Sequence, residues 1–218
     1  MGSVVVALTA DAILLDLDGT LVDSTDSIAR CWLRWCREYD VDPAGLAAAH
    51  GRTTADIVAD LLPGPMVSAA LTRIDQLEID DAVSVRALPG AAALLASIPE
   101  GRRAVVTSGS KVIAAARMRA AGLTPPSVVV TADDVLRGKP NPEPYLLGAQ
   151  RLGIDPARCV VVEDAPSGIA AARAAGMAVV AVTSTHEARQ LEADLVAAGP
   201  ARISVNGTGP LLVDVVAG

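Results

Sequence analysis

Short apolar runs rich in β-branched residues alternate along the chain with longer Ala- and Leu-rich segments of helical periodicity. The apolar runs predict strands at Ala12–Leu15, Ala104–Thr107, Ser127–Thr131, Cys159–Val162, Ala178–Val182 and Arg202–Val205. The segments between them predict helices at Lys111–Ala121, Pro142–Leu152, Ser167–Ala175 and Glu187–Ala197. Nearly continuous apolar strands separated by helices are typical of a parallel sheet covered on both faces. The pattern therefore predicts a doubly wound α/β fold.

A long helical stretch near the N-terminus interrupts this alternation. The stretch contains no apolar run typical of a strand. It predicts four helices, at Asp26–Tyr39, Pro43–Ala49, Thr53–Leu62 and Pro65–Leu77. The core then resumes with a predicted helix at Ala91–Ser97. Because an ordinary connection is far shorter, we interpret residues 24–86 as a helical cap inserted over the sheet. Residues 1–23 and 87–218 then form the core, with hinges near Leu21–Thr25 and Ser84–Pro89.

Composition and charge exclude several classes of protein. The 218 residues are 51% hydrophobic, with 2% aromatics, a net charge of −7 and a pI near 4.8, so we expect no nucleic-acid partner and no membrane partner. The N-terminal apolar run lacks the basic residues of a signal peptide. Cys31, Cys36 and Cys159 form no CxxC pair, which predicts buried free thiols. We expect a cytoplasmic protein, with a monomer as the default state.

Carboxylates follow two of the predicted strands, where open parallel sheets bind their ligands. Asp16 and Asp18 stand just after the first strand, at a spacing that lets two carboxylates converge on one hard cation such as Mg²⁺. The alternative is a simple turn before Gly19. Glu163 and Asp164 follow another strand, where an acidic pair either binds a cation or caps the next helix.

Hydroxyl groups and a lysine complete the same edge of the sheet. The segment Thr107–Ser110 offers hydroxyls and backbone N–H groups to an anion, although such residues also cap helices. Lys139 lies in Gly138–Pro142, where two prolines restrain the chain; Pro142 also suits the first turn of a helix. Together, two strands supply carboxylates, one supplies hydroxyls and a restrained lysine supplies a cation.

These motifs resemble the haloacid dehalogenase (HAD) superfamily phosphatases that carry an α-helical cap, the group with the sugar- and polyol-phosphate phosphatases and β-phosphoglucomutase. Four phrases carry the resemblance, in order: LLDLDGTLVDS (Leu14–Ser24), VVTSGS (Val105–Ser110), GKPNPEPY (Gly138–Tyr145) and VVEDAPSG (Val161–Gly168). The resemblance implies a HAD-like doubly wound parallel sheet with an inserted α-helical cap domain. It also implies Mg²⁺-dependent hydrolysis of a small phosphorylated sugar, polyol or related metabolite.

The resemblance also implies a role for each motif residue. Asp16 would be the nucleophile that forms an aspartyl-phosphate, and Asp18 the general acid and base, with its carbonyl on the metal. Lys139 would pair with Asp16 and the phosphoryl oxygens. Ser108 would hydrogen-bond the phosphoryl group, with Thr107 as the alternative if the motif is offset by one residue.

The remaining motif residues would complete the metal and phosphate sites. Asp164 would be the third protein ligand of Mg²⁺ beside Asp16 and Asp18. Glu163 would be either a further ligand or a support for the ligands. Gly109 and Asn141, in the same motifs, would contact the substrate.

Candidate specificity residues lie in the predicted cap. His50, Gly51 and Arg52 resemble the family's substrate loop, where Arg52 would reach the phosphate or a sugar hydroxyl. The alternative is a solvated turn with Thr53 as a helix N-cap. Glu78 either binds substrate hydroxyls or lies on a solvated acidic face, and the second interpretation is favoured.

One helix face of the predicted cap carries aromatic side chains. Trp32, Trp35 and Tyr39 are spaced by three and four residues, which favours the cap's own core over a platform that stacks on a sugar.

Three competing functions share this fold. A sugar-phosphate mutase would carry a cap histidine at the position of Ile28, and haloacid dehalogenases lack the second aspartate that is present here as Asp18. A non-catalytic phosphate-ligand binding module would be expected to lose the nucleophile or a metal ligand. Hydrolysis is therefore the favoured interpretation.

Overall fold

The computed structural model describes residues 5–46, 52–207 and 210–216. In chain order the strands are β1 (Val5–Ala10), β2 (Ala12–Leu15), β3 (Val22–Asp23), β4 (Arg86–Ala87), β5 (Arg103–Val106), β6 (Val128–Val130), β7 (Cys159–Glu163), β8 (Ala178–Val182), β9 (Leu195–Ala197), β10 (Ile203–Asn206) and β11 (Leu211–Val216). The α-helices are α1 (Thr25–Tyr39), α2 (Thr54–Leu61), α3 (Gly64–Asp81), α4 (Ala91–Ser97), α5 (Lys111–Ala120), α6 (Glu143–Leu152) and α7 (Pro166–Ala174).

Six strands form a parallel sheet in the order β6-β5-β2-β7-β8-β9. The chain runs outward from β2 through β5 to β6, and then returns to the other side of β2 for β7, β8 and β9. Such a reversal of direction creates a crevice at the carboxyl ends of the central strands. The predicted doubly wound α/β fold is confirmed.

Alternate side chains of the sheet enter two hydrophobic cores. On one face, Ile13 and Leu15 pack with residues of α4 and α5, such as Leu94 and Met118. On the other face, Leu14 packs with residues of α6 and α7. Every residue of β2 is buried, which explains why the strand is apolar throughout rather than alternating.

A second, antiparallel sheet in the order β1-β11-β10 contributes buried residues such as Val205 and Leu211 to the core that also contains Leu94 of α4. Strands β1 and β11 are absent from the predicted elements, and the strand predicted at Arg202–Val205 belongs to this sheet as β10. The alternating burial of β11 indicates a sheet with only one buried face.

The helix predicted at Glu187–Ala197 is wrong. The segment forms a 3₁₀ turn at Ala188–Gln190 and then strand β9. The backbone N–H of Asp194 donates to Val179 O at 3.0 Å, and its carboxylate accepts from Val179 N at 2.8 Å. These bonds attach the segment to the edge of β8, and pairing with an exposed sheet edge outweighs a weak local helix preference.

Helices α1, α2 and α3 form a helical insertion (residues 25–81) with a hydrophobic cluster of its own. Trp35 is buried and donates its indole N–H to Ala70 O at 2.9 Å. The ring centroids of Trp32 and Trp35 are 5.3 Å apart, and those of Trp35 and Tyr39 are 4.9 Å apart. The aromatic helix face is therefore part of the insertion's core, although Trp32 also borders a cavity.

Short antiparallel strands join the insertion to the core. Strand β3 pairs with β4 through Val22–Ala87 and Asp23–Arg86, within the segments predicted as hinges.

The predicted helix Pro43–Ala49 is a 3₁₀ turn over Pro43–Leu46 in its described part, and residues 47–51 lie outside the described residues. All three cysteines are buried free thiols, as predicted. No helix in the described part of the chain could cross a membrane.

Candidate active site

The carboxyl ends of three neighbouring strands bring the predicted catalytic residues together. Leu15 at the end of β2 is in register with Val105 of β5 and Val162 of β7. Asp16 and Thr107 come directly after two of these strands, and Glu163 ends the third. The parallel register therefore places their side chains side by side.

Lys139 lies at the centre of this cluster. Its Nζ is 2.6 Å from Asp16 Oδ1 and 2.7 Å from Glu163 Oε1, and it also donates to Val106 O at 3.2 Å. The Lys139 side chain is 1% exposed, so this ammonium has three protein acceptors in place of water. The predicted pairing of Lys139 with Asp16 is present in the structure.

Glu163 has protein donors on both carboxylate oxygens. Oε1 accepts from Lys139 and from the buried Tyr145 hydroxyl at 3.0 Å. Oε2 accepts from the backbone N–H groups of Asp164 and Ala165 at 2.8 and 2.9 Å. The absence of a side chain at Gly168 makes room for this carboxylate, because a Cβ there would lie 1.6 Å from Glu163 Oε1. Glu163 is thus held firmly as the partner of Lys139.

The charges in this cluster change one another's pKa. Burial raises the pKa of Asp16 well above its usual value, and the neighbouring carboxylates add to this rise while Lys139 opposes it. Burial disfavours the charged form of Lys139, but Asp16 and Glu163 together raise its pKa well above the usual value. Lys139 therefore keeps its charge, and Asp16 lies where an additional cation would favour its ionised form.

Three carboxylates of the site suit a divalent cation. One oxygen each of Asp16, Glu163 and Asp164 lies within 4.8 Å of the others. Asp16 Oδ2 is buried and has no hydrogen-bond partner among the described residues, which leaves an acceptor available for a metal. Hard carboxylate oxygens such as those of Asp16 and Asp164 fit Mg²⁺, which also keeps waters and substrate oxygens in its coordination sphere.

Asp164 is oriented by hydroxyl groups from two loops. Thr20 Oγ1 donates to Asp164 Oδ1 at 3.3 Å, and Thr185 Oγ1 donates to Asp164 Oδ2. Gly19, at φ +86°, lies against the same carboxylate, and a Cβ there would be 2.2 Å from Asp164 Oδ2. The glycine of the first motif is therefore required both by its backbone conformation and by this close approach.

Asp18 lies beside the cluster and is held by three side chains. Ser24 Oγ donates to Asp18 Oδ1 at 2.7 Å, and Thr107 Oγ1 is 3.4 Å from Asp18 Oδ2. Arg117 of α5 is 2.9 Å from the same Oδ2. Thr107 Oγ1 also accepts from Gly109 N at 3.1 Å, so the threonine hydroxyl has one partner on its own loop and one on the loop after β2.

A cavity of about 530 Å³ opens from these residues toward the helical insertion. Asp16, Asp18 and Ser108 line it from the core, and Ile28 and Trp32 line it from helix α1. The cavity thus places an apolar wall opposite the acidic end of the sheet.

The predicted substrate-binding residues have different positions relative to this cavity. Thr107, Gly109 and Arg52 line it, and the Arg52 guanidinium also pairs with Asp60 at 2.7 Å. Asn141 is not among the described lining residues, and its Oδ1 accepts from Glu143 N at the start of α6. His50 and Gly51 lie outside the described residues.

A buried ion pair in the cavity wall was not expected from the sequence. The predicted position of Glu78 on a solvated acidic face is wrong: this residue is 4% exposed, and Arg117 NH2 is 3.0 Å from Glu78 Oε2. Burial raises the pKa of Glu78 to about 7, although Arg117 opposes the rise. Arg117 lies on the buried face of α5 with Ile113 and Ala114, and a basic residue on such a face is the signal that could have identified it.

Comparison with known proteins places this site in a family. Residues 13–182 match the sequence profile of the haloacid dehalogenase-like hydrolases. Hexitol phosphatase A of Escherichia coli (strain K12) is 44% identical over 190 residues, covering 84% of this chain and 88% of that protein. Fructose-1-phosphate phosphatase YqaB of the same strain is 35% identical over 181 residues, covering 76% of this chain and 92% of that protein.

A solved structure agrees with this relationship. The crystal structure of a hydrolase from Pseudomonas syringae superimposes with a TM-score of 0.79 at 25% identity, covering 87% of this chain and 94% of that chain. The profile match spans β2 to β8 and contains the three strand ends that carry the site. The chain therefore belongs to the haloacid dehalogenase-like hydrolase family, and within it to the phosphatases.

Proposed function

We propose that this protein is a Mg²⁺-dependent phosphomonoesterase that acts on a small phosphorylated polyol or sugar through an aspartyl-phosphate on Asp16. The observation that carries the proposal is the environment of Asp16: one oxygen pairs with Lys139, and the other is buried without a partner among the described residues. A carboxylate arranged in this way can present one oxygen to a metal or to phosphorus while the other is held in place.

Asp16 would attack the phosphorus atom, and the alcohol would leave. Lys139, which is charged and 2.6 Å from Asp16, would stabilise the negative charge that develops on the phosphoryl oxygens. Glu163 would keep the ammonium aligned through its own contact at 2.7 Å. Water would then cleave the aspartyl-phosphate and restore the free carboxylate.

Asp16, Asp164 and the backbone carbonyl of Asp18 would hold the Mg²⁺ ion. When bound, this ion would offset the repulsion between the carboxylate nucleophile and the phosphoryl oxygens. Thr20 and Thr185 would orient Asp164 through their hydrogen bonds. Glu163 has four protein donors, which favours a role as partner of Lys139 over direct metal ligation.

Asp18 would transfer the protons of the two steps. It lines the cavity that adjoins Asp16, where it can protonate the leaving oxygen and later accept a proton from the attacking water. Ser108 also lines this cavity and would hydrogen-bond the phosphoryl group, with Thr107, which lines the same cavity, as the alternative hydroxyl.

The helical insertion would serve as the cap that covers the leaving group. The strands β3 and β4 that connect it to the core would act as hinges, with residues 24–86 as the cap and residues 1–23 and 87–218 as the core. Closure of such a cap excludes water from the reaction and brings specificity residues to the substrate. Arg52, at the cavity border, would contact the phosphate or a sugar hydroxyl.

The substrate class is supported by the relatives and by the cavity. Relatives named hexitol phosphatase A and fructose-1-phosphate phosphatase YqaB share 44% and 35% identity with this chain. A cavity of about 530 Å³ has room for a ligand of this size. A sugar-phosphate mutase is the second candidate. Such an enzyme is expected to carry a histidine at the position of Ile28, and here that position is an apolar residue of the cavity wall, which favours hydrolysis.

The test is phosphate release from p-nitrophenyl phosphate and from hexitol, glycerol and hexose phosphates, with and without Mg²⁺. We expect activity only with the metal, a preference for a polyol or sugar phosphate, and a complete loss in Asp16→Asn. Asp80→Asn, an exposed residue of α3, is the matched control and should retain full activity. Substantial activity in Asp16→Asn, or isomerisation of a hexose phosphate in place of hydrolysis, would refute the proposal.

A further inference from the structure

A buried ion pair connects the helical insertion to the α/β core inside the cavity. Arg117 of α5 places NH2 3.0 Å from Glu78 Oε2 of α3, and its NH1 is 2.9 Å from Asp18 Oδ2. Arg117 and Glu78 are 3% and 4% exposed, and both line the cavity. One guanidinium therefore bridges the proposed acid and base to a carboxylate of the insertion.

Stability alone is a weak explanation for this pair. Removing two charges from water is costly, and apolar side chains of similar size usually stabilise such a position as well or better. The insertion's side of the cavity is largely apolar, with Ile28, Trp32 and Leu33 among its lining residues. A charged pair retained on such a wall is more readily explained by a ligand that it binds.

The pair also has hydrogen-bonding capacity that the described residues leave unused. Arg117 Nε is buried and has no partner among them. Glu78 accepts from Arg117 and from the Trp32 side chain, whereas a carboxylate offers about four acceptor positions. Hydroxyl groups, which both donate and accept, match these requirements.

We propose that Arg117 and Glu78 form the subsite that recognises hydroxyl groups on the carbons next to the phosphate ester, and so restrict the enzyme to polyhydroxylated substrates. The inference rests on the proposed function. Because Arg117 contacts Asp18, which would protonate the ester oxygen, the pair lies close to the first carbons of the leaving alcohol. An alkyl phosphate of the same length would leave both buried charges without ligand partners and would be rejected.

The first test uses the unmodified protein and two substrates that differ only in hydroxyl groups. We expect kcat/KM for glycerol 1-phosphate to exceed that for n-propyl phosphate by about a hundredfold, since polar groups left unpaired discriminate strongly. Equal values for the two compounds would overturn the inference without any mutant being required.

The second test alters the pair. Glu78→Gln keeps the size of the side chain but changes an acceptor to a donor, and Arg117→Lys keeps the charge but removes the planar fork. We expect each variant to lower the ratio of the two kcat/KM values by about tenfold or more, mainly by raising KM for glycerol 1-phosphate. An unchanged ratio in a variant with normal circular dichroism would contradict the assignment.

The matched control is Glu38→Gln, on the surface of the same insertion. Glu38 pairs with Arg73 at 2.6 Å, and both side chains are about one-third exposed. It should leave the ratio unchanged, which separates recognition from a general loosening of the insertion.

The two proposals fail in different ways. No phosphate release from any compound, p-nitrophenyl phosphate included, would refute the proposed function and the inference with it. Hydrolysis of p-nitrophenyl, propyl and glycerol phosphates without a preference for the hydroxylated substrate would refute only the inference.

Discussion

The strand-end site and the cavity wall formed by the helical insertion are built in different ways. Asp16, Thr107 and Glu163 lie at or directly after the ends of strands whose register places them together. The Glu78–Arg117 pair instead joins α3 to α5 where the insertion packs on the core. In the proposed enzyme, the sheet therefore determines the position of phosphate chemistry, and helix packing determines recognition of the leaving group.

Apart from the Asp16 oxygen assigned to the metal, the two regions also differ in how completely their polar groups are bonded. Glu163 accepts four hydrogen bonds from the protein, so it is fixed before a substrate arrives. Arg117 Nε is buried with no partner among the described residues. A rigid site for the shared phosphate and a wall with unused bonding capacity suit a family in which the chemistry is constant and the alcohol varies.

Removing the lysine from the strand-end site should have the largest effect. Lys139→Ala would leave Asp16 and Glu163 buried without their shared cation, and we expect kcat to fall by about a thousandfold or more. Lys111→Ala, at the exposed start of α5 and the other lysine of the chain, is the control and should behave as the wild type. Steady-state kinetics with p-nitrophenyl phosphate measures both, and a Lys139 variant within tenfold of the wild type would contradict the role of this lysine.

A single methyl group added at Gly168 should disturb the same site by displacing the Glu163 carboxylate. The Cβ of Gly168→Ala would lie 1.6 Å from Glu163 Oε1 and 2.0 Å from its Cδ, so the carboxylate must move away from Lys139. We expect a loss of about a hundredfold in kcat and a decrease of about 2 kcal/mol in the free energy of unfolding.

Gly101→Ala is the matched control, because a Cβ there would meet no atom within 4 Å. Denaturant unfolding and kinetics on the two variants would test the rigidity of the strand-end site. If Gly168→Ala kept normal kcat and stability, the carboxylate would have to be far more adaptable than its four hydrogen bonds indicate.

The same difference explains how much could be predicted from the sequence. Asp16 and Glu163 follow apolar runs that are recognisable as strands, so local pattern and sheet geometry were sufficient to place them together. Glu78 was misassigned because its partner is 39 residues away and on another structural unit. Strand β9 was missed because its pairing with the edge of β8, and not its local composition, determines its conformation. Contacts between distant elements, unlike periodicity, leave no signal in a single segment.

The buried carboxylate of the insertion should make stability depend on pH. The pKa of Glu78 is raised from 4.5 to about 7 in the folded protein, so the folded state keeps a proton that the unfolded state has lost between these values. Stability therefore falls as the pH rises toward 7. From about pH 5.5 to about pH 8, the wild type should lose about 2 kcal/mol more than Glu78→Gln.

Urea unfolding at these two pH values measures the difference and avoids the region of the pI near 4.8. Glu38→Gln is the control. In the wild type, Arg73 and Arg34 hold the pKa of Glu38 near 2, so Glu38 releases no proton in this pH range and its replacement should leave the pH dependence unchanged. Parallel pH profiles for the wild type and Glu78→Gln would show that the cavity wall does not hold a titrating carboxylate, and would weaken the contrast with the strand-end site.

Tyr145→Phe should give the smallest change and tests how finely the strand-end site is adjusted. Phenylalanine keeps the ring, which lies 5.0 Å from Lys139 Nζ, and removes only the hydrogen bond of 3.0 Å to Glu163 Oε1. Glu163 would keep its other three donors, so we expect kcat to fall by about tenfold with KM nearly unchanged. Tyr39→Phe, in the core of the insertion, is the control and should not change kcat. A larger rise in KM than fall in kcat would mean that Tyr145 acts on substrate binding, and the division between a site for chemistry and a wall for recognition would then be less sharp than the structure indicates.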